Sequence, residues 1–135
     1  MNKEIEEMLV HTFVLKEKRD RALYMLSSNK RWNLIHNMEN VSNWFNKKYL
    51  VKILEPISSY NTVLGIIKKG GGSNRCYVII PDNPLIDGTE MPLETALKYV
   101  VGLGPAIISC DHGKLAYFEC EQSFGAPNRY ILLTN

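Results

Sequence analysis

The chain has 135 residues, 45% of them hydrophobic and 22% charged, with a net charge of +2. This is the make-up of one globular domain, and it excludes an intrinsically disordered chain; no apolar run nears the ~20 residues of a membrane-spanning helix. The charge is uneven, because residues 1–70 hold twelve Lys and Arg against seven Asp and Glu, while residues 71–135 hold four against seven.

The apolar rhythm of the first seventy residues is helical. A first helix is expected from about Lys3 to Val14, with Ile5, Met8, Leu9, Thr12 and Phe13 on one face. Its early acids Glu4, Glu6 and Glu7 suit the helix dipole and argue against a secretory leader. A second helix, continuous with the first or just after it, carries Leu15, Ala22, Leu23 and Leu26 as its buried stripe. Ser27-Ser28-Asn29 ends it and can cap a third helix with Trp32, Ile35 and Met38 facing inward. Lys47–Glu55 reads equally as strand or short helix, ended by Pro56. Ser58 or Ser59 then caps a helix to Lys69, with Tyr60, Val63, Leu64 and Ile67 on one face and Gly70 as its left-handed terminator.

After Gly70 the period changes to two. Arg75–Ile80 is a buried strand and Pro81–Gly88 a loop whose turn signal is Asp87-Gly88. Pro92 opens a helix striped by Leu93, Ala96, Leu97 and Val100 and closed by Gly102. Pro105–Cys110 and Leu115–Glu121 form a hairpin across Asp111–Lys114, with Ile107, Ser109, Ala116 and Phe118 on one face and Glu119 and Glu121 on the other, nearer water. Phe124–Asn128 is a Gly/Pro loop, and Arg129–Leu133 the last strand. The expected fold is a single α+β domain over 1–135: basic N-terminal helices (1–70) packed on one face of a small, mainly antiparallel, acidic sheet (71–135) of about four strands in β-α-β-β-β order.

Several segments are candidates for chemistry. Gly71, Gly72 and Arg75 can offer backbone amides and a guanidinium to an anion. However, the order here is helix to strand, which aims the wrong dipole end at a phosphate, so a helix cap and connector is the ordinary reading. Cys110-Asp111-His112 sets a thiol, a carboxylate and an imidazole in a row, but adjacent strand residues face opposite ways, and the thiols read as packed hydrophobes. His112 is kept as a binding candidate at the hairpin tip. Cys110, His112 and Cys120 lack the short ligand pair of a zinc site, so no metal and no cofactor is expected. Trp44-Phe45 is either an anchor for a partner or a lid on the core. Lys16–Arg31 carries six bases and two acids, enough for a polyanion but also for a solvated helix face. Arg129 lies across from Glu119 and Glu121 as a cross-strand ion pair at the surface.

These features lead to the expectation of a non-catalytic, cytoplasmic binding protein whose partner is another protein, with self-association left open and no membrane involved. Nucleic-acid or polyanion binding through the basic helices is the alternative, and a cysteine-dependent enzyme the third reading. The odd count of three cysteines fits reduced thiols.

Overall fold

The computed structural model describes residues 1–53, 59–121 and 127–134. Pro56, Ser58 and most of the Phe124–Asn128 segment lie outside these residues. In chain order the elements are α1 (Lys3–Phe13), α2 (Arg19–Leu26), α3 (Arg31–Asn37), α4 (Val41–Trp44), β1 (Leu50–Lys52), α5 (Tyr60–Lys69), β2 (Arg75–Ile79), β3 (Thr89–Pro92), α6 (Leu93–Val100), β4 (Ala106–Asp111), β5 (Leu115–Glu119) and β6 (Arg129–Leu133), with single 3-10 turns at Lys16–Lys18 and Lys47–Tyr49. The mixed helix–sheet layout holds. The sheet is antiparallel, and six strands rather than four are present among the described residues, in the order β1-β6-β5-β4-β2-β3.

Both added strands are short edges. Of Lys47–Glu55, readable as strand or helix, Leu54 and Glu55 lie outside the described residues, and the rest holds a 3-10 turn capped by Asn46 and a three-residue strand on β6. β3 was hidden in the run-up to α6: Pro92 ends the strand and is the residue before the helix, not its first turn. An edge position suits a proline, which has no N–H to donate to a further strand.

The helices do not lie on one face as expected. β4 and β5 are buried along almost their whole length on both faces. Tyr77, Ile79, Ile107, Ala116, Phe118 and Leu132 pack with Leu9, Phe13, Leu34, Ile35 and Phe45 of the N-terminal helices. Their neighbours Val78, Ile80, Ile108, Cys110, Tyr117 and Ile131 pack with Val63, Ile67, Leu93 and Leu97 of α5 and α6. The domain is therefore three layers, α1–α4, sheet, and α5–α6. Strand residues of opposite parity each find an apolar partner, so period-two alternation in hydrophobicity gives way to continuous apolar runs.

Several local departures follow from this packing. Trp32 does not face inward: it is 48% exposed, and Arg31 takes the buried position beside Leu34 and Ile35. Met8 is exposed on α1 whereas Glu6 is buried. No side chain caps α3, whose cap residue is Lys30. At the end of α5 the left-handed residue is Gly71, with φ 95°, rather than Gly70. Gly72 follows because a Cβ there would lie 2.4 Å from the Ile67 side chain.

Candidate functional site

The polar side chains that converge from distant parts of the chain lie at one pole. It is built by the start of α1, the α2–α3 corner, α3 and the 81–88 loop that joins β2 to β3. Arg31 holds these segments together. Its Nη1 donates to Glu6 Oε1 at 2.8 Å and to the Leu26 carbonyl at 3.0 Å, and its Nε and Nη2 form a fork on the Asp87 carboxylate at 3.0 Å each. The Tyr77 hydroxyl donates to the other Glu6 oxygen at 2.5 Å and accepts the Asn2 amide at 3.1 Å. Asp87 also accepts the Ile80 amide at 2.9 Å. Such a network tolerates burial because both carboxylates share the Arg31 guanidinium and each also accepts a further hydrogen bond, from Tyr77 or from the Ile80 amide. Next to it, Gly88 turns the loop at φ 75°, and Met1 packs where a Cβ would stand.

Beside this network opens a cleft of about 320 Å³ between Met1, Lys3, Glu6, Leu26, Ser28 and Arg31. It is near the lower end of the range for small-ligand sites. On the other flank Trp32 stacks on His36, with ring centroids 3.8 Å apart, and its indole N–H donates to Asp82 at 2.5 Å. His36 Nε2 is 3.4 Å from the second Asp82 oxygen, and its Nδ1 is 3.7 Å from Glu121, just beyond β5. Glu39 accepts the Glu121 backbone amide. Leu85, on the same loop as Asp82 and Asp87, is 90% exposed.

The residues singled out from the sequence lie elsewhere. Trp44 and Phe45 are buried and close the core, where Phe45 packs on Phe118 at 5.3 Å between centroids; they present no anchor. The amides of Gly71 and Gly72 are spent on the Lys68 and Ile67 carbonyls at the end of α5, so they cannot also cradle an anion. Arg75 is exposed at the start of β2. Ser73 donates its amide to the Cys110 carbonyl, which brings the glycine loop beside the hairpin that bears His112. There His112 Nδ1 meets the Ser109 hydroxyl at 2.7 Å. Within the Lys16–Arg31 run, Arg31 is in the buried network and Arg19 donates to the Val14 carbonyl, so the run is not one continuous basic face.

Glu119 is not near water. It is fully buried, and its carboxylate accepts from Arg129 Nε at 3.0 Å, the Tyr117 hydroxyl at 2.8 Å, and the amides of Gly102 and Gly104 at 3.0 and 2.9 Å. The expected cross-strand pair exists, with Glu119 opposite Arg129 in the register, but in the interior rather than at the surface.

The three thiols are free and buried. Burial pushes Cys76 and Cys120 up to about 12 and Cys110 well above the ordinary thiol value. Thiolate is then scarce at neutral pH, and the thiolate is the nucleophile. Alkylation by iodoacetamide at pH 7.5 is expected to be slow in the folded protein and fast in urea. A group whose folded value lies above its unfolded one stabilises below the unfolded value, so stability is expected to be full up to about pH 9 and to fall as pH rises from there toward about 12. Urea midpoints measured from pH 7 to 10.5 check the sign; a midpoint that rises with pH would contradict it.

The pole escaped sequence reading because its members are far apart. Arg31 and Asp87 are 56 residues apart, and Tyr77 and Glu6 are 71 apart. The available signal was weak: an arginine beside a tryptophan, and the Asp87-Gly88 turn. The chain matches no family model, no curated protein and no solved structure.

Proposed function

We propose that the protein is a non-catalytic binding protein that engages another protein through the pole bearing Trp32 and Leu85. The observation that carries this reading is the exposed indole of Trp32, fixed from both sides by His36 and Asp82 and set on the buried Arg31 network. A large aromatic side chain held in one rotamer loses little entropy when a partner covers it, which is how interface hot spots behave. Leu85, exposed on the loop that carries Asp82, supplies a second apolar contact, and the cleft beside Arg31 can accept a partner side chain. Buried thiols of raised pKa weigh against a cysteine-dependent enzyme and fit a reducing, cytoplasmic setting. The polyanion reading is weaker because Arg19 and Arg31 are committed within the fold.

Site-specific photo-crosslinking in living cells tests this. A benzoylphenylalanine at Leu85 is expected to give one discrete protein adduct that Trp32→Ala abolishes. The same probe at Tyr99, exposed on α6 across the sheet, is expected to give none. Equal labelling from both positions, no adduct from either, or an adduct that survives Trp32→Ala would overturn the proposal.

A further inference from the structure

We propose that His36, Glu39 and Glu121 form a binding site for a first-row divalent transition-metal ion. The inference is separate from the partner reading above and does not rest on it. One ligand atom from each of the three residues lies within 4.8 Å of the others. Such a spacing allows a single cation to sit between them after small side-chain movements, with bonds near 2.0–2.2 Å in the zinc case. The three residues come from two layers: His36 lies in the last turn of α3, Glu39 follows the helix, and Glu121 lies just beyond β5. The ligands are therefore not the solvated face of one helix.

The surroundings of His36 give the site its polarity. A metal-bound imidazole ligates through one nitrogen and donates the other N–H to a carboxylate, which fixes the tautomer and raises the basicity of the ligand. Nδ1 is on the Glu121 side at 3.7 Å, and Nε2 is on the Asp82 side at 3.4 Å. Nε2 is buried and has no hydrogen-bond partner among the described residues. A metal on Nδ1 would leave the proton on Nε2, where a small tilt of the ring completes the bond to Asp82. Asp82 is itself oriented by the Trp32 indole N–H, and Glu39 by the Glu121 amide. The stacking of Trp32 on the imidazole holds the ring plane. Three carboxylates around one ring leave an excess of negative charge, which a divalent cation would neutralise. One nitrogen and two carboxylate ligands select zinc, cobalt or manganese over magnesium, which prefers an all-oxygen shell with retained water.

Asp82 is a positioning residue in this arrangement, since it reaches the metal only through His36. The test is calorimetric titration of the full chain with zinc chloride, beside paramagnetic broadening of amide NMR signals by manganese. The expected result is one zinc per chain, with broadening centred on residues 36, 39 and 121. Affinity is expected to fall at least tenfold in Glu121→Gln and in His36→Asn, by about tenfold in Asp82→Asn, and not at all in Glu90→Gln. Magnesium at the same concentration is expected to give no heat and not to displace zinc. Far-UV dichroism of each variant checks that it is folded. Because Glu121→Gln changes an exposed residue, it keeps the test valid if His36→Asn does not fold. Zinc affinity unchanged in Glu121→Gln, broadening centred on His11 or His112, or the absence of binding in the wild-type chain would overturn the proposal.

Discussion

Glu119→Ala is expected to lower the stability of the protein by about 3–5 kcal/mol, the range for removing one partner of a buried ion pair. The carboxylate is wholly shielded from water and takes four separate donors: Arg129, the Tyr117 hydroxyl, and the amides of Gly102 and Gly104. Alanine would take the Glu119 carboxylate away from the buried Arg129 guanidinium and remove the acceptor that the Gly102 and Gly104 amides of the α6–β4 connection share. Each unmet donor adds a desolvation cost of its own, about 1–3 kcal/mol. Glu119→Gln keeps one oxygen and the volume, so it should lose less than alanine. Tyr117→Phe, which removes one donor and leaves the ion pair, is expected to cost about 1 kcal/mol. Urea denaturation of the three variants checks the order, and a loss under 1 kcal/mol for Glu119→Ala would show that the cluster does not hold β5, β6 and the α6–β4 connection together.

Arg31→Met is expected to cost about 3 kcal/mol or more by the same logic. Methionine keeps the apolar stem but leaves Glu6 and Asp87 buried and facing one another's charge; their side chains are only 7% and 6% exposed. The double variant Glu6→Gln with Arg31→Met should lose less than the sum of the single losses, because the amide no longer needs a counter-charge. A coupling of about 1–3 kcal/mol in this cycle is the expected reading. Additive losses would mean that the two residues stabilise the pole independently. High salt should change the wild-type value little, since the pair is out of reach of solvent ions.

How much of this could be read from the sequence depended on the distance over which each signal acted. The stripes of α5 and α6 and the Asp111–Lys114 hairpin rest on neighbours within a few residues, and they stand where the period placed them. The hairpin face of Ile107, Ala116 and Phe118 is also correct, because the register pairs Ser109 with Ala116 and a bulge absorbs the slip at Asp111. The layer count was not legible. An antiparallel run of strands with one wet face and one with two dry faces differ in a few residues, and Glu119 looked like a marker of the wet face until its donors came in from Gly102, Gly104 and Arg129. Trp32 misled for a related reason. Its spacing to Ile35 and Met38 put it on the apolar stripe, yet the helix is rotated to bury Arg31, whose partners are Glu6 and Asp87. His36 carries no local signal in the sequence, because Asp82 and Glu121 reach it from segments about 46 and 85 residues further along the chain.

The pairing of β1 with β6 has a consequence for how the chain is made. Residues 1–53 leave the ribosome carrying Leu9, Phe13, Leu34, Ile35 and Phe45, and the surface that covers them belongs to β2, β4, β5 and β6. No early fragment can finish its own interior, so productive folding waits until the C-terminal meander has been translated. Nascent chains stalled before about residue 110 are expected to leave this apolar flank open to water and to aggregate more readily than the full chain.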